Sequence, residues 1–125
     1  MSGSPMETHG MFSWCGHSSA APDKAKAFYA SVLGWTIADQ EMGDGSHYSV
    51  ITVGEQPIGG FPAQPDGDGQ WLPYVTVDDV DKRVAAAEKA GGTVVSPAVS
   101  VPGVGRMATI ADPMGAKIAF IAYGA

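Results

Sequence analysis

Few polar side chains in this sequence stand where they could do chemistry. His47 opens a strand-like segment beside Tyr48, where it is either a surface residue or a hydrogen-bond donor or general base at the mouth of a pocket. Arg106 follows a Pro-Gly-Val-Gly turn in an apolar segment, so its guanidinium needs a partner: an aspartate of the chain or the carboxylate of a ligand. If the chain is an enzyme, His47, Arg106 and Tyr48 are its candidate catalytic residues.

His17 is a further candidate, and its place in a strand decides which way it points. It lies three residues after Trp14, and side chains alternate between the two faces of a strand. If Trp14 faces a pocket, His17 faces the helix layer, which favours a structural role. A metal site could be assembled from His17, Glu41 and His47, but nothing in their spacing supports one.

Aromatic side chains suggest a binding site instead. Trp14 lies on the first predicted strand, and Trp71 and Tyr74 lie on the strand that opens the second half of the chain. Three large rings would be costly on a wet face, so they are either core or the wall of a pocket, and we favour the wall. Methionines near these strands could extend such a surface. The predicted ligand-binding residues are Trp14, Met42, Phe61, Trp71, Tyr74 and Met107.

Composition excludes several classes of partner. Charged residues make up 16% of the 125 residues, against roughly 25% in typical soluble domains, and the net charge is −6. No basic cluster is present to bind phosphates, so we expect no nucleic acid partner. No apolar run is long enough to span a bilayer and no basic, then apolar, N-terminal segment is present, so we expect a cytoplasmic protein. With Cys15 as its one cysteine, the fold does not depend on a disulfide.

Local signals divide the first half of the chain into one helix and four strands. Residues 1–10 lack apolar periodicity and predict a mobile tail. Pro22 and Asp23 are typical of a helix start, and Gly34 of a helix end, around a stripe of apolar residues with a period of 3.6. The predicted strands are Phe12 to Ser18, Trp35 to Met42, His47 to Val53 and Gln56 to Phe61.

The second half repeats this order of elements. A helix from Val80 to Ala90 follows an Asp-rich start, and Gly91-Gly92 ends it. The predicted strands are Trp71 to Val77, Thr93 to Val101, Gly105 to Ala111 and Lys117 to Tyr123. A shift of 58 residues superposes the halves, for example Gly34 on Gly92 (92 − 34). Residues 11–123 are therefore expected to form one domain of two βαβββ modules, 11–62 and 71–123, with the linker 63–70.

Three short motifs carry a family resemblance across residues 11–123. Ala27-Phe28-Tyr29 with Val32-Leu33-Gly34-Trp35, the segment from Trp71 to Asp81, and Asp112-Pro113-Met114-Gly115-Ala116 occur in the order and spacing of the vicinal oxygen chelate superfamily. The chain thus resembles the group of glyoxalases, bleomycin-resistance proteins and ring-cleaving dioxygenases. The resemblance implies an α+β fold, in which two modules form a U-shaped, incomplete eight-stranded barrel-like sheet with two helices outside.

The resemblance also implies where a metal would be held. In the enzymes of the superfamily, His, Glu or Gln side chains on the first and last strand of each module bind a divalent cation. Counting along the motifs, the matching positions here are Trp14, Phe61, Leu72 and Ala119, none of which offers a metal-binding atom. The chain therefore looks like a metal-less member with no cofactor.

The resulting expectation is a homodimeric protein that binds a small organic molecule in an aromatic-lined pocket. The alternative is an enzyme of the lyase, isomerase or dioxygenase type that uses His47, Arg106 and Tyr48, or displaced metal ligands. A regulatory subunit without a ligand is the third possibility. The sequence lacks zinc-site Cys/His pairs, a nucleophile elbow and a phosphate-binding loop, so it gives no support to other chemistries.

Overall fold

The computed structural model describes residues 4–41, 47–61, 68–101 and 103–124. After a short 3₁₀ helix at Pro5–Glu7, two successive sets of elements have the order strand, helix, strand, strand, strand, which confirms the α+β class. The first set is β1 (Phe12–Ser19), α1 (Pro22–Leu33), β2 (Thr36–Glu41), β3 (His47–Val53) and β4 (Gln56–Phe61); the second is β5 (Asp68–Thr76), α2 (Val80–Lys89), β6 (Thr93–Val101), β7 (Gly105–Ala111) and β8 (Lys117–Tyr123).

The chain divides into two compact units. The first unit is Trp14–Leu72, and the second unit combines Met1–Ser13 with Pro73–Ala125. The strand β5 begins at Asp68, three residues before the predicted start at Trp71. Polar and glycine residues at 68–70 resemble a turn in sequence, but backbone pairing does not depend on side-chain type, so the strand extends through them.

In the first unit, local signals start and end the helix as predicted. Pro22 stands in the first turn of α1, and Gly34 ends it in the left-handed conformation with φ 72°, its N–H donating to the Ala30 carbonyl at 3.0 Å. The strands of this unit lie in the order β2-β3-β4-β1: β1 runs parallel to β4, and the other neighbours are antiparallel.

The apolar stripe of α1 is only partly covered. Ala25 and Tyr29 are half-buried, whereas Phe28, Val32 and Leu33 are 57%, 60% and 54% exposed. The helix α1 therefore contacts its sheet through one side of the apolar stripe. The apolar side chains on the other side of the stripe remain exposed to water.

The second unit has the same arrangement of strands, β5-β8-β7-β6, with β5 parallel to β8. Asp79 caps α2 by accepting a hydrogen bond from the Lys82 N–H at 3.0 Å. Buried Val77, Val80 and Ala108 form the core between α2 and the strands, with partly buried Val75 and Phe120 packed against them. Among the described residues, no helix is long and apolar enough to cross a membrane.

The pairing of β1 with β4 depends on two glycines. Cys15 pairs with Gly59, and Gly16 pairs with Gly60. A Cβ atom on Gly59 would overlap the carbonyl oxygen of Cys15, so the two backbones can approach this closely only because Gly59 has no side chain. The role of Gly59 is therefore to permit this close approach of the two backbones.

We expect Gly59→Ala to cost about 2–3 kcal/mol of unfolding free energy, because the added methyl group must push two paired strands apart. Gly54→Ala serves as the control: Gly54 lies in open space with φ 63°, so its cost is limited to left-handed strain of about 1 kcal/mol. Urea denaturation of both variants measures the difference. Equal losses would contradict the close approach at Gly59.

Candidate functional site

The two faces of the first unit's sheet carry different side chains. Phe61 pairs with Ser49, which pairs with Asp39, and these side chains share one face with His17. The helix α1 lies on this face, since its Tyr29 ring contacts His17. Trp14 and Tyr48 alternate with these residues and lie on the opposite face, which no helix of this unit covers.

On this helix-free face, Trp14 and Tyr48 hold each other in place. The indole Nε1–H of Trp14 donates to the hydroxyl oxygen of Tyr48 at 2.9 Å, and both residues are half-buried. A Cβ atom on Gly60 would overlap the Tyr48 ring, so the missing side chain of Gly60 provides the space in which that ring lies. Two aromatic rings are thus fixed on an uncovered sheet face with the indole N–H already satisfied.

The positions that match the superfamily's metal ligands all lie among the described residues, and their side chains carry no metal-binding atom. Trp14 lies on the helix-free face, and Phe61 lies on the α1 side of the same sheet. Ala119 is buried and pairs with Tyr74 in the second unit. Among the described residues, no group of three His, Cys, Asp or Glu side chains could hold a metal ion. The residues that match the superfamily's ligand positions therefore do not fit a divalent cation.

The α1 side of the same sheet holds a cluster of rings around His17. The His17 ring lies 4.7 Å from Trp71, 5.1 Å from Phe61 and 5.9 Å from Tyr29, measured between centroids. Trp71 Nε1–H donates to the Tyr29 hydroxyl at 3.2 Å. The predicted orientation of His17 toward the helix is confirmed. Two of the predicted ligand-binding residues, Phe61 and Trp71, are thus in contact with this histidine.

His17 is enclosed with one polar atom unsatisfied. It is 8% exposed, and its Nδ1 has no hydrogen-bond partner among the described residues. Burial lowers the pKa of His17 below its usual value. The neutral imidazole is therefore the form that this cluster accommodates, and His17 acts as a packing residue rather than as a proton donor.

A polar cluster beside α1 could not be predicted from the sequence. Lys26 Nζ donates to the Ser49 hydroxyl at 3.1 Å and pairs with Asp39 at 3.4 Å and Asp23 at 3.2 Å, and Ser49 donates to Asp39. Burial opposes the positive charge, but the hydrogen bonds to Asp23 and Asp39 outweigh it, so the pKa of Lys26 is raised. A lysine that stays protonated cannot act as the base for Ser49. The i, i+3 spacing of Asp23 and Lys26 was the only sequence signal for this group.

Arg106 has its partner inside the second unit. Its Nε and Nη2 donate to the two carboxylate oxygens of Asp81 at 2.8 and 2.9 Å, and its Nη1 donates to the Ser100 hydroxyl at 3.1 Å. These hydrogen bonds hold the pKa of Asp81 below its usual range. Of the two partners that the sequence leaves open, the structure shows the aspartate.

Two of the remaining candidates belong to the second unit. Tyr74 and Met107 belong to the second unit, on the face opposite to α2, because they alternate with Val75 and Ala108 of the α2 core. Met42 and the side chains of Glu41 and His47 lie outside the described residues. Within the described part of the chain, Tyr48 is the one catalytic candidate that contacts a predicted ligand-binding residue.

The sequence as a whole matches a known family model. Residues 14–120 match the Glyoxalase/Bleomycin resistance protein/Dioxygenase superfamily. The chain therefore belongs to this superfamily, which confirms the resemblance drawn from the three motifs.

Relatives among curated proteins are longer than this chain. "Putative glyoxylase CFP32" of Mycobacterium tuberculosis is 40% identical over 97 residues, which is 76% of this chain and 37% of the relative. Anthracycline biosynthesis protein DnrV of Streptomyces peucetius is 33% identical over 117 residues, 79% of this chain and 42% of the relative. The chain thus spans about two fifths of the length of the curated relatives it matches.

Solved structures share the fold at low sequence identity. Methylmalonyl-CoA epimerase of Mycobacterium tuberculosis superposes with a TM-score of 0.62 at 20% identity, covering 100% of this chain and 94% of its own. The enzyme of the same name from Streptomyces coelicolor, in complex with 2-nitronate-propionyl-CoA, gives 0.64 at 14% identity, covering 94% and 100%. These similarities establish the architecture of the chain.

We expect the stability of the protein to fall on acidification from about pH 6.5, and His17 to cause much of that loss. Because the folded-state pKa of His17 is lowered, the unfolded chain binds the proton first as the pH falls. The loss of stability begins near the pKa that His17 has in the unfolded chain and levels off below its lowered pKa in the folded protein. Urea unfolding of the wild type and of His17→Phe between about pH 8 and 5 measures it, and the variant should show a flatter profile.

The Asp78 carboxylate does not interfere in this pH window. Hydrogen bonds from Arg83 lower the pKa of Asp78 from 3.8 to about 2, so its contribution is lost only below pH 3.8. Val95→Ala is the control, since Val95 is 44% exposed and has no titratable group, so this variant should leave the wild-type profile in place. Parallel profiles for the wild type and His17→Phe would show that His17 is not the titrating group.

Proposed function

We propose that this chain binds a small, planar organic molecule on the helix-free face of the first unit, without a metal ion. The observation that carries this proposal is the pair of Trp14 and Tyr48, which are joined by a 2.9 Å hydrogen bond, half-buried and aligned on a sheet face that α1 does not cover. Binding sites for small molecules combine apolar and aromatic walls with a few polar groups that fix orientation.

The chemistry of this pair favours a flat, mainly apolar ligand. Since the Trp14 N–H is already bonded to Tyr48, a ligand can contact the indole ring without leaving a buried donor unpaired. Stacking of a planar molecule on such rings contributes about 1–3 kcal/mol for each ring. The Tyr48 ring covers Gly60, so a ligand on this face would meet the aromatic rings rather than the backbone of the sheet.

Two of the similar proteins support this class of ligand. DnrV carries anthracycline biosynthesis in its name, and anthracyclines are built on a flat, fused-ring skeleton. The Streptomyces coelicolor structure contains an acyl-CoA analogue, so a protein of this fold accommodates a small organic molecule. The Trp14–Tyr48 face fits the planar skeleton better, because it offers rings, and the described strands β1 to β4 contain no Lys or Arg to bind the phosphates of CoA.

Binding can be measured by the quenching of tryptophan fluorescence with an anthracycline aglycone as the probe. We expect saturable quenching that is unchanged after dialysis against EDTA. Trp14→Leu should weaken binding about tenfold, which corresponds to the loss of one stacking contact of about 1.4 kcal/mol. Trp14→Phe should lose less, because it keeps an aromatic ring but not the hydrogen bond to Tyr48.

Trp35→Phe is the matched control, since Trp35 stacks on Tyr29 at 5.6 Å on the α1 side of the sheet. Its affinity should equal that of the wild type, and circular dichroism checks that each variant is folded. Equal affinities for Trp14→Leu and the wild type would contradict the proposed site. Binding that requires an added divalent cation, or turnover of the probe, would favour the enzyme alternative.

We also propose that the protein is a homodimer, located in the cytoplasm, without a nucleic acid partner. The exposed Phe28, Val32 and Leu33 of α1 form an apolar row that a second copy of this chain would cover. The relatives support a second copy as the occupant, because this chain matches only 37–42% of their length and each has room for another such domain. The net charge of −6 supports the absence of nucleic acid.

Sedimentation equilibrium tests the dimer. The wild type should sediment with twice the 12.8 kDa mass of one chain. Val32→Glu should shift the protein toward the monomer, because a carboxylate in an apolar interface loses its hydration. Glu88→Gln on α2 is the control for a change of charge and should sediment like the wild type. A monomeric wild type at high protein concentration would overturn the proposal.

A further inference from the structure

The segment Ser4–Gly10 precedes the two βαβββ sets and is attached to the second unit at several points. Beside the 3₁₀ helix Pro5–Glu7, the Gly10 N–H donates to the Thr76 carbonyl at 2.8 Å, and the Thr76 N–H donates to the Met11 carbonyl at 2.9 Å. The Asp78 N–H donates to His9 Nδ1 at 3.0 Å. We call this segment the arm.

Three hydroxyl groups of the second unit point toward the arm in a chain with a fixed direction. The Thr76 hydroxyl lies 2.7 Å from the Pro5 carbonyl oxygen and 2.9 Å from the Ser13 hydroxyl. The Ser13 hydroxyl in turn lies 2.8 Å from the Tyr123 hydroxyl. A carbonyl oxygen can only accept a hydrogen bond, so the Thr76 hydroxyl is the donor to the Pro5 carbonyl. Ser13 then donates to Thr76, and Tyr123 donates to Ser13.

This hydroxyl chain lies on the sheet face opposite to α2. Thr76 alternates with Val75 and Val77, which pack on the α2 side, and its own side chain therefore points the other way. Thr76 is 5% exposed. Burial raises the pKa of Tyr123, although its hydrogen bond with Ser13 acts in the opposite direction, so the phenol remains a proton donor. The chain of hydroxyls thus ends at one acceptor, the Pro5 carbonyl oxygen, to which Thr76 donates.

We propose that the Pro5 carbonyl oxygen occupies a binding site of the second unit for the carbonyl or carboxylate oxygen of a small organic ligand, and that displacement of the arm opens this site. The three hydroxyls form an array in which each one orients the next, and of the three only Thr76 donates to the bound oxygen, so that donor is fixed in direction before a ligand arrives. The oxygen that fills the array comes from a segment outside the βαβββ units, held by His9 and Gly10 through bonds that the hydroxyls do not share. The hydroxyls belong to the second unit and the Trp14–Tyr48 pair belongs to the first, so this proposal does not rest on the proposed function.

The arm can be loosened without touching the three hydroxyls. In the full chain, His9→Ala removes the acceptor for the Asp78 N–H, and Gly10→Val places a branched side chain at φ 90°, where only glycine fits without strain. The double variant should raise the exchange rates of the Glu7, Thr8 and Gly10 amides at least tenfold. Thr8→Val is the matched control, because it removes only the hydroxyl that bonds the Ser4 carbonyl inside the arm.

Benzoate and acetophenone are the probes, one for each kind of oxygen, and chemical shifts of the Ser13, Thr76 and Tyr123 signals are the readout. The double variant should show saturable shifts at these three residues with Kd of about 1 mM, and the wild type and Thr8→Val should bind at least tenfold more weakly. Adding Thr76→Val to the double variant should abolish the shifts, since the hydroxyl that donates to the ligand is gone.

Two results would overturn the proposal. In the first, the amides of the arm exchange fast in the double variant, but neither probe changes the chemical shifts of the three hydroxyl residues. The arm would then be a structural cap with no binding site beneath it. In the second, the arm keeps its wild-type exchange rates, so it is not displaceable. Neither result affects the Trp14 fluorescence titration, which tests a pair of residues in the first unit.

Discussion

The parallel pairing of β1 with β4 at two glycines organises both faces of the first unit. Because Gly59 has no side chain, the Cys15 carbonyl can approach it, and the two strands lie close enough to align their residues across the sheet. Because Gly60 has none, the ring of Tyr48 lies over its backbone and within reach of Trp14. The same alignment brings Phe61 beside His17 on the side of α1. One backbone contact therefore determines where the aromatic side chains of this unit lie.

The two faces use hydrogen bonding in different ways. On the helix-free face the donor of Trp14 is satisfied by a neighbouring side chain, which leaves an apolar ring surface that can lose water at little cost. On the α1 side His17 keeps an unsatisfied Nδ1 inside a shell of rings, and the cost is held down because the imidazole remains neutral. The first arrangement suits the binding of a molecule from outside. The second suits a core that is stable at neutral pH and weakens in acid.

Elements whose signals are local could be predicted from the sequence. Pro22 and Gly34 fix the ends of α1 through backbone geometry alone, and the glycine and aspartate turns mark most of the strands. The family could also be identified, since its motifs depend on the same local features. Phe28 and Val32 show the limit of this approach, because their helical spacing predicts an apolar stripe but does not reveal which part of it meets the sheet.

Features that depend on strand register and distant contacts could not be predicted. Phe61 lies on the α1 side because of its pairing with Ser49, and a shift of one residue would have turned it to the other face. The composition of the first ten residues gives no hint that the Pro5 carbonyl would accept a hydrogen bond from Thr76, more than seventy positions away in the sequence. The chemistry of the chain thus rests on contacts between residues that no local pattern connects.

The central claim is that the Trp14–Tyr48 face binds a planar molecule without metal. The most direct measurement is a set of nuclear Overhauser contacts between a bound anthracycline aglycone and the ring protons of the metal-free protein. We expect contacts from the ligand to the rings of Trp14 and Tyr48 and none to the rings of Trp71 or His17. Contacts to the rings on the α1 side, or contacts that arise only after a divalent cation is added, would contradict it.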